Sequence, residues 1–160
     1  MALGNEIVLA SNPRGLFKEG IISGTPKPGT LMTIVAATEK VGGRFTWEPF
    51  NRDADGDRAL VAVLLPDTLQ GALATDAYVD GERCFLYCPA AGEEMNVLVS
   101  ASGTGTGDAI AIGDLLIAVD GTGVLIGTTG DPESEPFQVL ETATDVVAAG
   151  TLLHCVYTGH

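Results

Sequence analysis

Gly29-Thr30-Leu31-Met32-Thr33-Ile34-Val35 is the stretch that decides the fold. A glycine lets the chain turn sharply, a small polar residue follows, and then large apolar and β-branched side chains begin a strand. The same form, G-[TD]-L-[LM]-x-x-V, returns at Gly113-Asp114-Leu115-Leu116-Ile117-Ala118-Val119 and at Gly150-Thr151-Leu152-Leu153-His154-Cys155-Val156. The intervals of 84 and 37 residues are unequal, so the recurrence reads as one strand-opening device used three times and not as a solenoid repeat.

Outward from these points the texture stays the same. Short runs rich in Val, Ile, Leu, Thr, Phe and Tyr alternate with Gly/Asp/Pro clusters, which predicts strands over 31–37, 44–50, 59–65, 83–88, 95–101, 114–119, 124–127, 137–141 and 151–157. Asp80-Gly81 and Asp120-Gly121 have the residues of tight hairpin turns. The one plausible helix is a turn or two over Asp67–Thr75, weakened by Gly71. Met1–Pro28 reads as an extended arm, with turn or stiff signals at Asn12-Pro13-Arg14-Gly15 and Thr25-Pro26-Lys27-Pro28. The expected fold is therefore all-β: a small β-sandwich or barrel-like domain over 29–160, an N-terminal arm over 1–28, and at most one short helix.

Charge narrows the function. With 21 acidic against 8 basic residues the net charge is −13. A surface of that sign repels nucleic acid and anionic membranes, so neither is an expected partner. Its 46% hydrophobic content is too high for a disordered acidic chain. No apolar run approaches a membrane span, and the opening MALGNEIVLASN lacks the pattern of a secretory signal. The charge is also segregated. All eight Lys and Arg residues lie between Arg14 and Arg83, which leaves residues 1–83 at −3 and residues 84–160, with ten acids and no Lys or Arg, at −10. The second half must face water or a basic partner, while the first half can approach another protein without a large electrostatic cost. Three cysteines without a secretory signal imply reduced thiols in a cytosolic assembly.

Several motifs imitate chemistry and fail on detail. Asp53-Ala54-Asp55-Gly56-Asp57 opens like a calcium loop, but Arg58 and Leu64 stand where an EF-hand needs glycine and glutamate, so a solvated turn is the better reading. Gly103–Asp108 is glycine-rich without the lysine or the helix start of a phosphate cradle. Cys84 and Cys88 on one strand sit roughly 13 Å apart at ~3.3 Å per residue, too far for one zinc, and His154 and Cys155 point to opposite faces. Acid pairs such as Glu93-Glu94 flank Gly or Pro and read as solvated turns. No catalytic residue, metal ligand or cofactor is expected, and the protein is not expected to be an enzyme.

Three ordered groups of phrases add more. These are Glu6-Ile7-Val8-Leu9 with Gly15-Leu16-Phe17-Lys18-Glu19-Gly20-Ile21-Ile22 and Pro28-Gly29-Thr30-Leu31; then Gly81-Glu82-Arg83-Cys84-Phe85-Leu86-Tyr87 with Ala91-Gly92-Glu93-Glu94-Met95-Asn96-Val97-Leu98; then Ile112-Gly113-Asp114-Leu115-Leu116 with Phe137-Gln138-Val139-Leu140-Glu141. In this order they resemble the head decoration (cement) proteins of tailed bacteriophages over most of the chain; 44–57 has no counterpart. The resemblance implies a virion structural protein on the outer surface of an icosahedral capsid, a homotrimer at three-fold or quasi-three-fold positions, and the major capsid protein as partner. It also implies an N-terminal segment that touches the capsid, so Arg14, Leu16, Phe17, Lys18, Ile21, Ile22 and Lys27 are the expected capsid or protomer interface. A carbohydrate- or receptor-binding sandwich with Trp47 as its aromatic platform, and a tail or neck subunit, are the alternatives.

Overall fold

Ten strands form in the computed structural model, which describes residues 7–8, 14–35, 42–50, 61–71, 73–100, 110–118, 122–128, 137–143, 146 and 150–159. They are β1 Leu16–Ile22, β2 Leu31–Ile34, β3 Phe45–Pro49, β4 Val61–Leu65, β5 Arg83–Cys88, β6 Glu94–Val99, β7 Leu115–Ala118, β8 Leu125–Thr128, β9 Phe137–Val139 and β10 Thr151–Tyr157. Nine coincide with predicted strands. The short helix reduces to one 3₁₀ turn, Thr68–Gln70, capped by Asp67 and stopped by left-handed Gly71. The strand that sequence misses is β1. Its first four residues are exposed on both faces, so it has no alternating pattern to read.

The strands close into two barrels, ordered β1-β3-β2-β4-β5 and β10-β6-β8-β7-β9. The two have the same topology. In each, the first strand runs parallel to the third and antiparallel to the fifth, the third lies antiparallel to the second, the second to the fourth, and the fourth to the fifth. The 84-residue interval in the sequence acquires a meaning here: it carries β2 onto β7, the second strand of each barrel. The 37-residue interval to β10 does not. All three opening glycines take the positive φ that the device requires, at 86°, 93° and 92°. The all-β expectation holds, and the barrel-like form is doubled within one chain. The boundary expected after Pro28 falls between β1 and β2 of the first barrel.

A second turn device uses the acids. At Val79–Glu82, Ala90–Glu93 and Ala111–Asp114 the fourth residue's N–H donates to the first residue's carbonyl (3.1 Å each). Its carboxylate accepts back from the first residue's N–H at 3.0, 2.7 and 2.8 Å. The third residue is a positive-φ glycine in all three. Leu73–Asp76 closes the same way without the glycine.

Each barrel has its own apolar filling. Ile22, Met32, Trp47, Leu64, Cys84 and Leu86 fill the first, and Trp47 lies directly on Gly20, where a Cβ would collide with its indole. Met95, Val97, Leu116, Leu125, Phe137 and Leu153 fill the second, and Leu31, Val63 and Tyr87 from the first barrel join that cluster. Backbone bonds tie the barrels together. Leu98 N–H donates to Gly29 C=O (2.9 Å) and Leu31 N–H donates to Gly123 C=O (2.8 Å). The β6–β8 pairing has a single register, Val99↔Leu125. Ile7 and Val8 serve the rest of that β6 edge: Val8 bridges Met95, and Asn96 N–H donates to Ile7 C=O at 2.7 Å.

Candidate interaction surface

The structure scatters the seven expected interface residues. Ile22 is 1% exposed and belongs to the first barrel's own core, which leaves it no surface to offer. Ile21 is half-buried on β1. Lys27 lines a 540 Å³ cleft where the barrels meet, with Thr25, Thr30, Glu48 and Thr122 around it. Arg14 is engaged at the seam, its Nη2 donating to Ala91 C=O at 2.8 Å. Leu16 and Phe17 are each 61% exposed, and Lys18 lies beside them in the exposed half of β1.

Phe17 and Lys18 enter a groove of 390 Å³ that sequence reasoning did not foresee. Leu65 at the end of β4 and Pro66, Thr68 and Leu69 after it form its other wall, with Glu19 and Phe85 completing it. Leu69 is 80% exposed. Phe17 is steadied from below by Tyr87, ring centroids 4.8 Å apart, and the Arg83 guanidinium lies 5.1 Å over the Phe85 ring. Such an apolar floor with a cationic rim suits contact with another macromolecule.

Glu93 positions the start of β1. It is 4% exposed, not the solvated turn acid expected from its neighbours. Its carboxylate accepts from Ala90 N–H (2.7 Å), Tyr87 O–H (2.7 Å), Gly15 N–H (3.2 Å) and Arg14 N–H. Burial alone would raise its pKa, but these four donors outweigh it and hold the carboxyl below its ordinary value. Burial, then the bond to Glu93, pushes Tyr87 up to about 12. The Gly-Glu turn after β5 was the available signal, through the carboxylate clasp it shares with two other turns.

The residues weighed for metal or nucleophile chemistry lie apart. Cys84 and Cys88 are buried with the first barrel's core and Cys155 with the second's. Burial pushes Cys84 up to about 12 and raises Cys88 and Cys155, so all three stay protonated at neutral pH. His154 Nε2 meets Glu94 Oε2 at 2.9 Å on the outside of the second barrel. Among the described residues no three His, Cys, Asp or Glu side chains group to hold a metal. Asp53–Asp57, Gly103–Asp108 and the Asp120-Gly121 hairpin lie outside the described residues.

No family model matches the chain, and no curated protein matches it. Among solved structures, the chain is similar to the crystal structure of the head fiber gp8.5 N base in bacteriophage phi29. The TM-score is 0.53 at 13% identity, covering 90% of this chain and 94% of that one. At that identity the likeness is one of fold.

Proposed function

We propose that the protein is a structural component of a phage virion. It binds the outer surface of the icosahedral head as a trimer at three-fold or quasi-three-fold sites, bridges subunits of the major capsid protein, and acts by binding rather than by bond chemistry. The observation that carries this reading is the fold shared with a phage head fiber base along nearly the whole chain. The ordered phrases that resemble head decoration proteins support it independently.

The physics of the role is multivalency. A shell repeats one site many times, so a trimer engages three at once and modest single contacts become firm. Each contact needs on the order of 800 Å² per partner. A ligand that binds only the assembled, expanded shell stabilises it by mass action.

The test is to add purified protein to matching expanded heads that lack it, then sediment and image them. Density at three-fold positions and heads that resist heat or chelator better are expected. Bare heads overturn the proposal, and density confined to the tail or neck moves the protein there. The carbohydrate reading loses its platform, because Trp47 is 1% exposed inside the first barrel.

A further inference from the structure

We propose that copies of this chain associate head to tail: the Phe17/Leu69 groove on the first barrel of one copy receives the Ile112 turn on the second barrel of the next. This rests on the self-association in the reading above and names the contact that makes it.

Three observations converge. The first is shape. The groove is a 390 Å³ concavity with apolar walls from Phe17, Leu65, Pro66, Leu69 and Phe85. Among the described residues of the second barrel Ile112 is the large hydrophobic that stands out, 65% exposed. The Asp114 clasp on Ala111 N–H (2.8 Å) holds it there, with Gly113 at φ 93°. A rigid apolar knob faces solvent on one barrel and an apolar hole on the other.

The second is charge. Lys18 lines the groove and Arg83 covers its Phe85 wall, while Asp114 follows Ile112 by two residues. The stretch that builds the second barrel, Glu94–Tyr157, has no Lys or Arg and nine acids, a balance of −9. Glu19, which also lines the groove, is paired with Arg44 (3.2 Å), so groove on groove sets Lys18 and Arg83 against their own copies, and knob on knob sets Asp114 against Asp114. Only groove on knob is complementary, and the attraction is local to that contact, since the two halves as wholes are both net negative.

The third is topology. A head-to-tail contact is heterologous and must either close into a ring or run on as a filament. The two barrels share one strand order, so three closed copies alternate first and second barrels and set six units of one fold about the axis.

Sedimentation velocity on the full chain tests this without a phage head. Wild type is expected to form a closed oligomer at physiological ionic strength. Phe17→Glu and Ile112→Glu should each be monomeric while keeping the wild-type circular dichroism spectrum and a cooperative unfolding transition. Mixed together they should form a one-to-one dimer, because each retains the surface the other lacks. Leu69→Ser, at an 80% exposed site, repeats the groove test without touching the core. A monomeric wild type, an Ile112→Glu protein that assembles normally, or two folded variants that fail to pair overturns the contact. Monomers that still coat heads would leave the virion reading standing, whereas oligomers that ignore heads would overturn that reading alone.

Discussion

The two barrels share a topology and differ in almost everything laid over it. The first contains the one tryptophan, at its centre, and displays Leu16, Phe17, Phe45, Leu69, Leu73 and Val79 to solvent. Its stretch of sequence also supplies seven of the eight Lys and Arg residues, with the eighth, Arg14, two positions before β1. The second has aliphatic filling around Phe137 and no Lys or Arg. Strand order is evidently set by what faces inward and by turn chemistry, both of which the barrels have in common. Their outer faces differ in charge and exposed apolar area, and the contacts proposed above lie on those differences.

The sharpest way to break the comparison is to damage one barrel and watch the other. Trp47→Ala should cost about 4 kcal/mol in urea unfolding. Trp47 fluorescence reports the first barrel in the parent chain, and labelling of Cys155, in a Cys84→Ala, Cys88→Ala background, reports the second. The shared Leu31, Val63 and Tyr87 cluster predicts coincident midpoints. Separated midpoints would mean two independent units.

Next in size is the seam itself. Glu93→Ala leaves four donors without their acceptor and should cost about 3 kcal/mol. Because the folded carboxyl lies below its ordinary value of 4.5, Glu93 contributes stability above that pH. The contribution is lost as pH falls through the folded value. Glu93→Gln should therefore flatten the acid limb of the stability curve below about pH 4.5 and leave neutral-to-alkaline slopes unchanged.

Two glycines sharpen the same point. Gly123 and Gly42 both have positive φ, 62° and 58°. A Cβ on Gly123 would meet the Leu31 carbonyl and lie 2.7 Å from Thr30 Cγ2, whereas one on Gly42 meets nothing within 4 Å. Gly42→Ala should cost about 1 kcal/mol for backbone strain alone. Gly123→Ala should cost about 3, the difference measuring how closely the barrels approach. The smallest effect belongs to the exposed His154–Glu94 pair, where His154→Ala should change thermal stability by less than ~0.5 kcal/mol.

How much of this the sequence discloses depends on whether the signal is local. Nine strands are legible because alternation and turn residues are local, and Thr151–Tyr157 is legible to the residue. β1 is not, because half of it belongs to a surface and breaks the alternation. The doubling of the barrel is half-legible: Gly29 and Gly113 mark equivalent strands, but Gly150, with the same form, marks an inequivalent one. Of the site, Phe17 and Lys18 are legible as an apolar-cationic pair. Their groove is not, since Leu69 and Phe85 come from positions over fifty residues away. Glu93 is misread because its neighbours say turn, while its burial is fixed by Arg14-Gly15 and Tyr87, which only the fold brings to it.

The pairing of Ile7 and Val8 with β6 has a consequence for the order in which the protein takes shape. As the chain is synthesised, residues through Cys88 suffice to close the first barrel, yet the earliest segment must wait for β6 to emerge. The second barrel cannot close until β10 does. Contacts of that sequence separation slow folding towards the millisecond-to-second range. For that interval the apolar Ile7-Val8 segment and an acidic, half-built barrel coexist beside a first barrel whose strands have all emerged. The base-free second half carries like charge throughout that interval, and repulsion between such segments opposes their association until β10 pairs with β6 and β9.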